Sequence, residues 1–270
     1  MAGRIFVTGD THGEFWRFNT RYFSLQKELN KEDYVIICGD FGLIWDVTSK
    51  ELSPEKAESE REKWWLDWLE HLPFTLLFVD GNHENFDRLN RYPVEEWHGG
   101  KVHKIRPTVI HLMRGQVFEL AGKKFFTFGG ARSHDISDGI LEADDPKLRE
   151  KMQRLEKQNA LYRVNHISWW KEEMPSKEEM EEGLENLKKH RCEVDYIITH
   201  CCSGKIQKRL NESFIEDELN NYFDEVQSNC NYKKWFFGHY HGEKIVSPQD
   251  VLLYYSILEL GGALDALCNR

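Results

Sequence analysis

Arg4-Ile5-Phe6-Val7-Thr8-Gly9-Asp10-Thr11-His12-Gly13 opens with a short apolar run that breaks at a glycine and delivers two metal-type side chains. The run has no polar alternation, which is how a strand buried on both faces reads. Tyr34 to Cys38 and Phe74 to Val79 repeat the pattern, and they end in Gly39-Asp40 and in Gly81-Asn82-His83-Glu84. Helices are expected between these strands. Phe15 to Leu29 fills the first gap. In the second, Ser53-Pro54 offers an N-cap and a first-turn proline for a helix with Trp64, Trp65, Trp68, Leu69 and Leu72 on one face. Strand, helix, strand, helix, strand gives a right-handed βαβαβ layout.

Further on, Val109 to Leu112, Gln116 to Leu120 and Lys124 to Phe128 are three strands separated by glycine-containing turns, expected as an antiparallel meander. From about 133 to 191 the chain turns charged and helical. Leu148, Met152 and Leu155 keep helical spacing, as do Met180, Leu184 and Leu187, and Ser176 with Glu179 reads as a capping box. A last set of strands is expected at Val194 to Thr199, Lys234 to Phe237, Lys244 to Val246 and Val251 to Tyr254, with a helix over Phe214 to Val226. The expectation is one domain over residues 1–270, α/β in class, with a charged helical insertion at about 133–191.

The 270 residues carry 36 Lys and Arg against 46 Asp and Glu, a formal net charge of −10. An acidic surface repels polyphosphate backbones, so a dedicated binder of long nucleic acids is excluded. The apolar share of 40% and nine tryptophans place the chain among folded proteins. No run is long enough to span a membrane and the N-terminal apolar run is too short for a signal peptide, so a cytoplasmic protein is expected. Cys38, Cys192, Cys201, Cys202, Cys230 and Cys268 have no metal-finger spacing and read as reduced thiols.

Chemistry concentrates at the C-terminal ends of the apolar strands, where open α/β sheets place their sites. Asp10 and His12, two apart, project to one side if the backbone is extended. Asp40, Asn82 and His83 follow the next two strands, His200 follows Tyr196-Ile197-Ile198-Thr199, and His239-Tyr240-His241 follows Trp235-Phe236-Phe237-Gly238. Five of the twelve histidines therefore fall at strand ends. The other seven (His71, His98, His103, His111, His134, His166, His190) read as surface or core residues.

Asp-x-His, Gly-Asp, Gly-Asn-His-Glu, His and Gly-His-x-His, in that order from Asp10 to His241, resemble the calcineurin-like metallophosphoesterases. The resemblance implies a two-sheet β sandwich flanked by helices, in four layers α/β/β/α. It implies Asp10, His12 and His241 on one divalent metal ion, Asn82, His200 and His239 on a second, and Asp40 between them. His83 would be the general acid. Two such ions about 3.5–4 Å apart acidify a bridging water and stabilise an in-line displacement at phosphorus. The oxygen and nitrogen ligand set points first to manganese, with iron or zinc as alternatives, and Cys38 and Cys201 would face away. The Gly-Asp-x-Val-Asp-Arg-Gly form of the Ser/Thr protein phosphatases is absent, since Leu43 and Ile44 stand where its Asp and Arg would be. Asp46 or Asp87 would then orient His83. Gly129-Gly130-Ala131-Arg132-Ser133 is similar to a segment of bacterial members and makes Arg132 the phosphate clamp. Trp169-Trp170-Lys171-Glu172-Glu173-Met174-Pro175, also similar to bacterial relatives, is either a wall of the substrate cleft or a flank over the second sheet. A phosphomonoesterase acting on small phosphate esters is expected. A phosphodiesterase for cyclic or short nucleotides and a silent scaffold are the alternatives.

Overall fold

The computed structural model of the chain describes residues 3–46 and 57–261. The unalternating runs become strands buried along their whole length: β1 (Ile5–Thr8), β2 (Tyr34–Ile37) and β3 (Thr75–Phe78). They pair in parallel in sequence order, and β6 (Val109–Leu112) extends the parallel set beyond β3. After the one-turn helix α2 (Phe86–Leu89), a hairpin of β4 (Val94–Trp97) and β5 (Gly100–Arg106) closes that side, and β15 (Leu258–Glu259) pairs antiparallel with β1. The order is β15-β1-β2-β3-β6-β5-β4.

The second sheet is built from β7 (Gln116–Leu120), β8 (Lys123–Phe128), β11 (Tyr196–Thr199), β12 (Lys234–Phe237), β13 (Lys244–Ile245) and β14 (Asp250–Leu252), in the order β13-β14-β12-β11-β8-β7. Period-two side-chain direction then sorts each strand between two cores. Val7, Ile36 and Leu77 meet Phe118, Phe125, Ile198 and Phe236 between the sheets. Phe6, Val35, Leu76 and Phe78 point the other way, onto Phe15, Phe18, Trp65 and Leu69. Ile197, Trp235 and Phe237 turn outward onto α6 (Glu218–Asn229) through Leu219, Phe223 and Val226. Helix, sheet, sheet, helix is the four-layer α/β/β/α arrangement expected.

Several local expectations are overturned. Phe15 to Leu29 is not an α-helix. It forms two short 3₁₀ turns, Trp16–Phe18 and Ser24–Glu28, because Phe15, Phe18 and Phe23 all turn into the outer core and the Gln26 amide takes the carbonyls of Phe18 and Phe23 at 2.6 and 3.0 Å. Ser53-Pro54 lies outside the described residues. The tryptophan helix α1 (Glu60–Glu70) starts at Ser59, whose hydroxyl and the Glu62 carboxylate form a reciprocal capping box. Its Trp65, Leu66 and Leu69 are buried, whereas Trp64 is exposed.

The meander is a correction of topology. Only β7 and β8 pair as expected; β6 belongs to the first sheet, and the chain crosses between sheets at Met113-Arg114-Gly115. The crossing is fixed by the buried Arg114, which donates to Oδ1 of Asp80 at 2.6 Å, a charge anchor that hydrophobic periodicity cannot register. The helix expected from Phe214 starts instead at Glu218, capped by Asp217, and a further helix, α5 (Gly204–Leu210), precedes it. Between residues 133 and 191 the chain forms α3 (Leu148–Lys157) and α4 (Lys177–Lys189), with a small parallel pair of β9 (Ile140–Leu141) and β10 (Arg163–Val164). Ser176 and Glu179 make the expected capping box, and α4 packs on β7 with Leu187 buried. Five cysteines are free thiols; Cys268 lies outside the described residues. Among the described residues no helix is long and apolar enough to cross a membrane.

Candidate metal centre

Each parallel strand stops where its apolar run stops, and the turn that follows brings Asp10, His12, Asp40, Asn82, His83, His200, His239 and His241 to one edge of the sandwich. Convergence does not come from the pleat of an extended strand, as expected for Asp10 and His12. His12, Asp40, His239 and His241 adopt φ of 48°, 46°, 69° and 45°, the left-handed region that costs a side-chain-bearing residue about 1–3 kcal/mol. Four such residues in one place mark a site whose surroundings hold them against that strain. Two glycines make room: a Cβ on Gly238 would overlap the Asp10 carboxylate, and one on Gly39, at φ +94°, would land on the His200 ring.

Asp10 and Asp40 are buried carboxylates whose ion-pair neighbours among the described residues are imidazoles. The backbone N–H of His239 donates to Asp10 at 3.0 Å, and that of His83 donates to Oδ1 of Asp40 at 2.8 Å. Asp10, His12, Asp40 and His241 each present a ligand atom, all within 4.8 Å of one another. The Nε2 atoms of His12 and His241 stand 3.0 Å apart. On the other side, Nε2 of His200 lies 3.3 Å from Oδ1 of both Asp40 and Asn82.

The orientation of these last groups follows from their neighbours. Cys38 O can only accept, so His200 donates from Nδ1 at 2.8 Å and turns Nε2 toward Asp40 and Asn82. Ser133 Oγ spends its proton on Oε2 of Glu173 at 2.6 Å and accepts from Nδ2 of Asn82 at 3.4 Å, leaving Oδ1 of Asn82 aimed at His200. Three electron-pair donors thus face one point. Only an extra proton or a cation reconciles them, and the residues present therefore fit a divalent ion on either side of Asp40.

Electrostatics agree. Burial pushes Asp10 up to about 7 against the pull of His200, so its carboxylate needs a further positive charge to stay ionised. Burial acts on Asp40 in the same direction, but His200, His83 and His12 around it outweigh that and hold it well below the usual carboxylate range. His200 is raised to about 9, since Asp40 overcomes its own desolvation. Burial lowers His12 to about 4 and His239 well below its ordinary value, keeping both imidazoles neutral and able to donate an electron pair.

His83 is half-buried and edge-on to His12, with ring centroids 5.1 Å apart. It lines an open cleft of about 230 Å³ with His12, Trp45, Asp46, Arg61 and Glu62. Burial lowers its pKa; Asp40 and Asp135 pull it back up, and Arg163 opposes them. Of the two carboxylates expected to orient it, Asp46 shares the cleft, whereas Oδ2 of Asp87 is engaged by Nδ1 of His166 at 2.8 Å and Nε1 of Trp170 at 3.0 Å. Arg132 is exposed and lines a separate cavity of about 850 Å³ beside Arg114 and Trp169; Arg61 is the arginine lining the His83 cleft. Trp170 is buried behind Trp45 at 5.3 Å, so its stretch backs the cleft wall. The thiols face away as expected, with Cys201 against the Tyr240 hydroxyl.

Two features were missed in the sequence. His134 places Nε2 2.9 Å from Nε2 of His239, and Asp135 forms an ion pair with Arg163 near His83. Neither carries a local signal, because the pairings span 105 and 28 residues. A family profile described as calcineurin-like phosphoesterase matches residues 3–243. No curated protein matches the chain.

Proposed function

The chain belongs to the calcineurin-like phosphoesterase family, and from that premise we propose that it hydrolyses small phosphomonoesters at the Asp10 to His241 centre. The observation that carries the reading is the pair of buried carboxylates, Asp10 and Asp40, ringed by imidazoles with electron pairs turned inward. Asp10, His12 and His241 would hold one divalent ion, Asn82, His200 and His239 the other, with Asp40 shared. Manganese suits this thiolate-free set first; iron and zinc also suit it. When bound, the ions supply an acidified water as nucleophile and charge stabilisation for an in-line displacement, without a covalent enzyme intermediate.

The chain's own residues do the rest. Asp40 accepts the His83 backbone N–H, which holds the His83 turn at the cleft. A ring nitrogen of His83 then delivers its proton to the leaving oxygen, and the phosphate dianion beside it favours that protonated form. Arg61 lines the cleft and is available to an incoming phosphate there, whereas Arg132 would have to reach it from a separate cavity. A cleft of about 230 Å³ favours a small ester, and the net charge of −10 disfavours long polyanions.

A diester reading has one observation in its favour, the Trp45 indole in the cleft wall, on which a nucleobase would stack. Rates on an aryl phosphate monoester and a bis-aryl diester, measured side by side with the manganese-loaded protein, separate the two. Faster monoester turnover supports the proposal, and faster diester turnover replaces it with the nucleotide reading.

A further inference from the structure

Two pairs of imidazoles at this centre meet nitrogen to nitrogen. Nε2 of His12 lies 3.0 Å from Nε2 of His241, and Nε2 of His134 lies 2.9 Å from Nε2 of His239. For metal–nitrogen bonds of about 2.1 Å, neighbouring corners of an octahedron are separated by about 3.0 Å. Both pairs have that spacing. The first belongs to the acidic and histidine group described above, and the second repeats its geometry on the His200 side, where the His200 and His239 rings stand 5.0 Å apart.

His134 is not delivered by a loose loop. Gly130 N donates to Asp80 O at 3.1 Å and Ala131 N to Glu173 O at 3.1 Å. Ser133, next to His134, gives its N–H to Oε1 of Glu173 at 2.9 Å and its hydroxyl to Oε2 at 2.6 Å. Glu173 is buried, and the same Ser133 hydroxyl accepts from Asn82. One carboxylate from the 133–191 segment thus sets both the amide of Asn82 and the backbone that carries His134. Ala131 and Ser133 are buried on either side of exposed Arg132, so the turn is packed as far as the residue before His134.

We infer that His134 is a further protein ligand for the ion held by Asn82, His200 and His239, supplied by the loop that follows β8. The inference rests on reading the site as a two-ion centre. It gives the ion on that side one more neutral nitrogen than its counterpart, and so makes the two positions chemically unequal. Nitrogen-rich sites favour later first-row metals over manganese, so mixed occupancy follows when manganese and zinc are offered together.

The test is manganese titration by calorimetry on the full chain and on His134→Ala, with pulsed electron paramagnetic resonance to count nitrogen couplings. For the variant, one of two dissociation constants rises by at least about tenfold, the other stays within about twofold, and one nitrogen coupling disappears. His134→Asn, which returns an oxygen donor, recovers part of the affinity. Melting in excess chelator should match the parent, because His134 is exposed; a lower melting temperature with unchanged nitrogen count counts against the inference. Parent-like constants and couplings in His134→Ala overturn it while leaving the two-ion centre intact. Uptake of less than one ion by the parent overturns both.

Discussion

The backbone N–H of His83 donates to Oδ1 of Asp40 over 2.8 Å, so the proposed acid and the proposed shared ligand are held as one unit. Replacing Asp40 therefore acts twice. Asp40→Ala is expected to lower metal affinity by at least about 10- to 100-fold and to release the His83 turn. Equilibrium dialysis against manganese checks the first effect. Parent-like uptake would show that Asp40 is not shared between ions.

His83 lines the cleft, and its bond to Asp40 runs through the backbone N–H, which an alanine keeps. His83→Ala should retain the parent's metal content and lose about 10²- to 10⁴-fold in turnover. The loss should be larger on an alkyl or phenyl phosphate than on an activated nitrophenyl ester, whose leaving oxygen needs no proton. If the variant matches the parent on an unactivated ester, the acid role is wrong.

Away from the centre, His103 and His111 face each other with Nδ1 atoms 3.1 Å apart, and Nε2 of His111 meets Asp80 at 3.1 Å. His111 donating to Asp80 leaves its Nδ1 to accept from Nδ1 of His103. Burial, reinforced by His111, lowers His103 to about 3. The unfolded chain takes up this proton below about 6.5 and the native state does not, so stability is lost as pH falls from about 6.5 toward 3, by up to about 1.4 kcal/mol per pH unit. Urea midpoints at pH 7, 6, 5 and 4.5 should show a shallower slope for His103→Asn than for the parent. Equal slopes would remove His103 from the account of acid lability.

Glu62 joins three parts of the outer layer. Its carboxylate accepts from the backbone of Trp45 and Asp46 at 2.6 Å, pairs with Arg88 at 2.6 Å and closes the Ser59 capping box. Glu62→Ala takes the carboxylate from a buried guanidinium, which costs about 3–5 kcal/mol. A fall in melting temperature on the order of 10 °C is the expected result. A fall of only a degree or two would mean that solvent replaces the carboxylate freely.

The strand ends were legible because apolar runs stop abruptly at glycine followed by Asp, Asn or His, and parallel strands must put such ends at one edge. Asp10, His12, Asp40, Asn82, His83, His200, His239 and His241 all came from that rule. What the rule could not supply was backbone conformation. Asp-x-His reads as an extended pair, yet His12 turns left-handed at φ 48°. Phe15 to Leu29 carries helical spacing, but three phenylalanines drawn into one core and a glutamine holding two carbonyls outweigh it. Strand pairing failed at β6 for a similar reason: Arg114 answers to Asp80, 34 residues away, and not to its neighbours. His134 was invisible on the same ground, an unremarkable histidine until the fold sets it against His239.

Two-ion occupancy of this cluster of carboxylates and imidazoles is tested most directly by elemental analysis after chelation, reconstitution with manganese and removal of free metal. About two ions per chain in the parent, falling in Asp40→Ala, is the predicted result. Less than one ion per chain in the parent would contradict it.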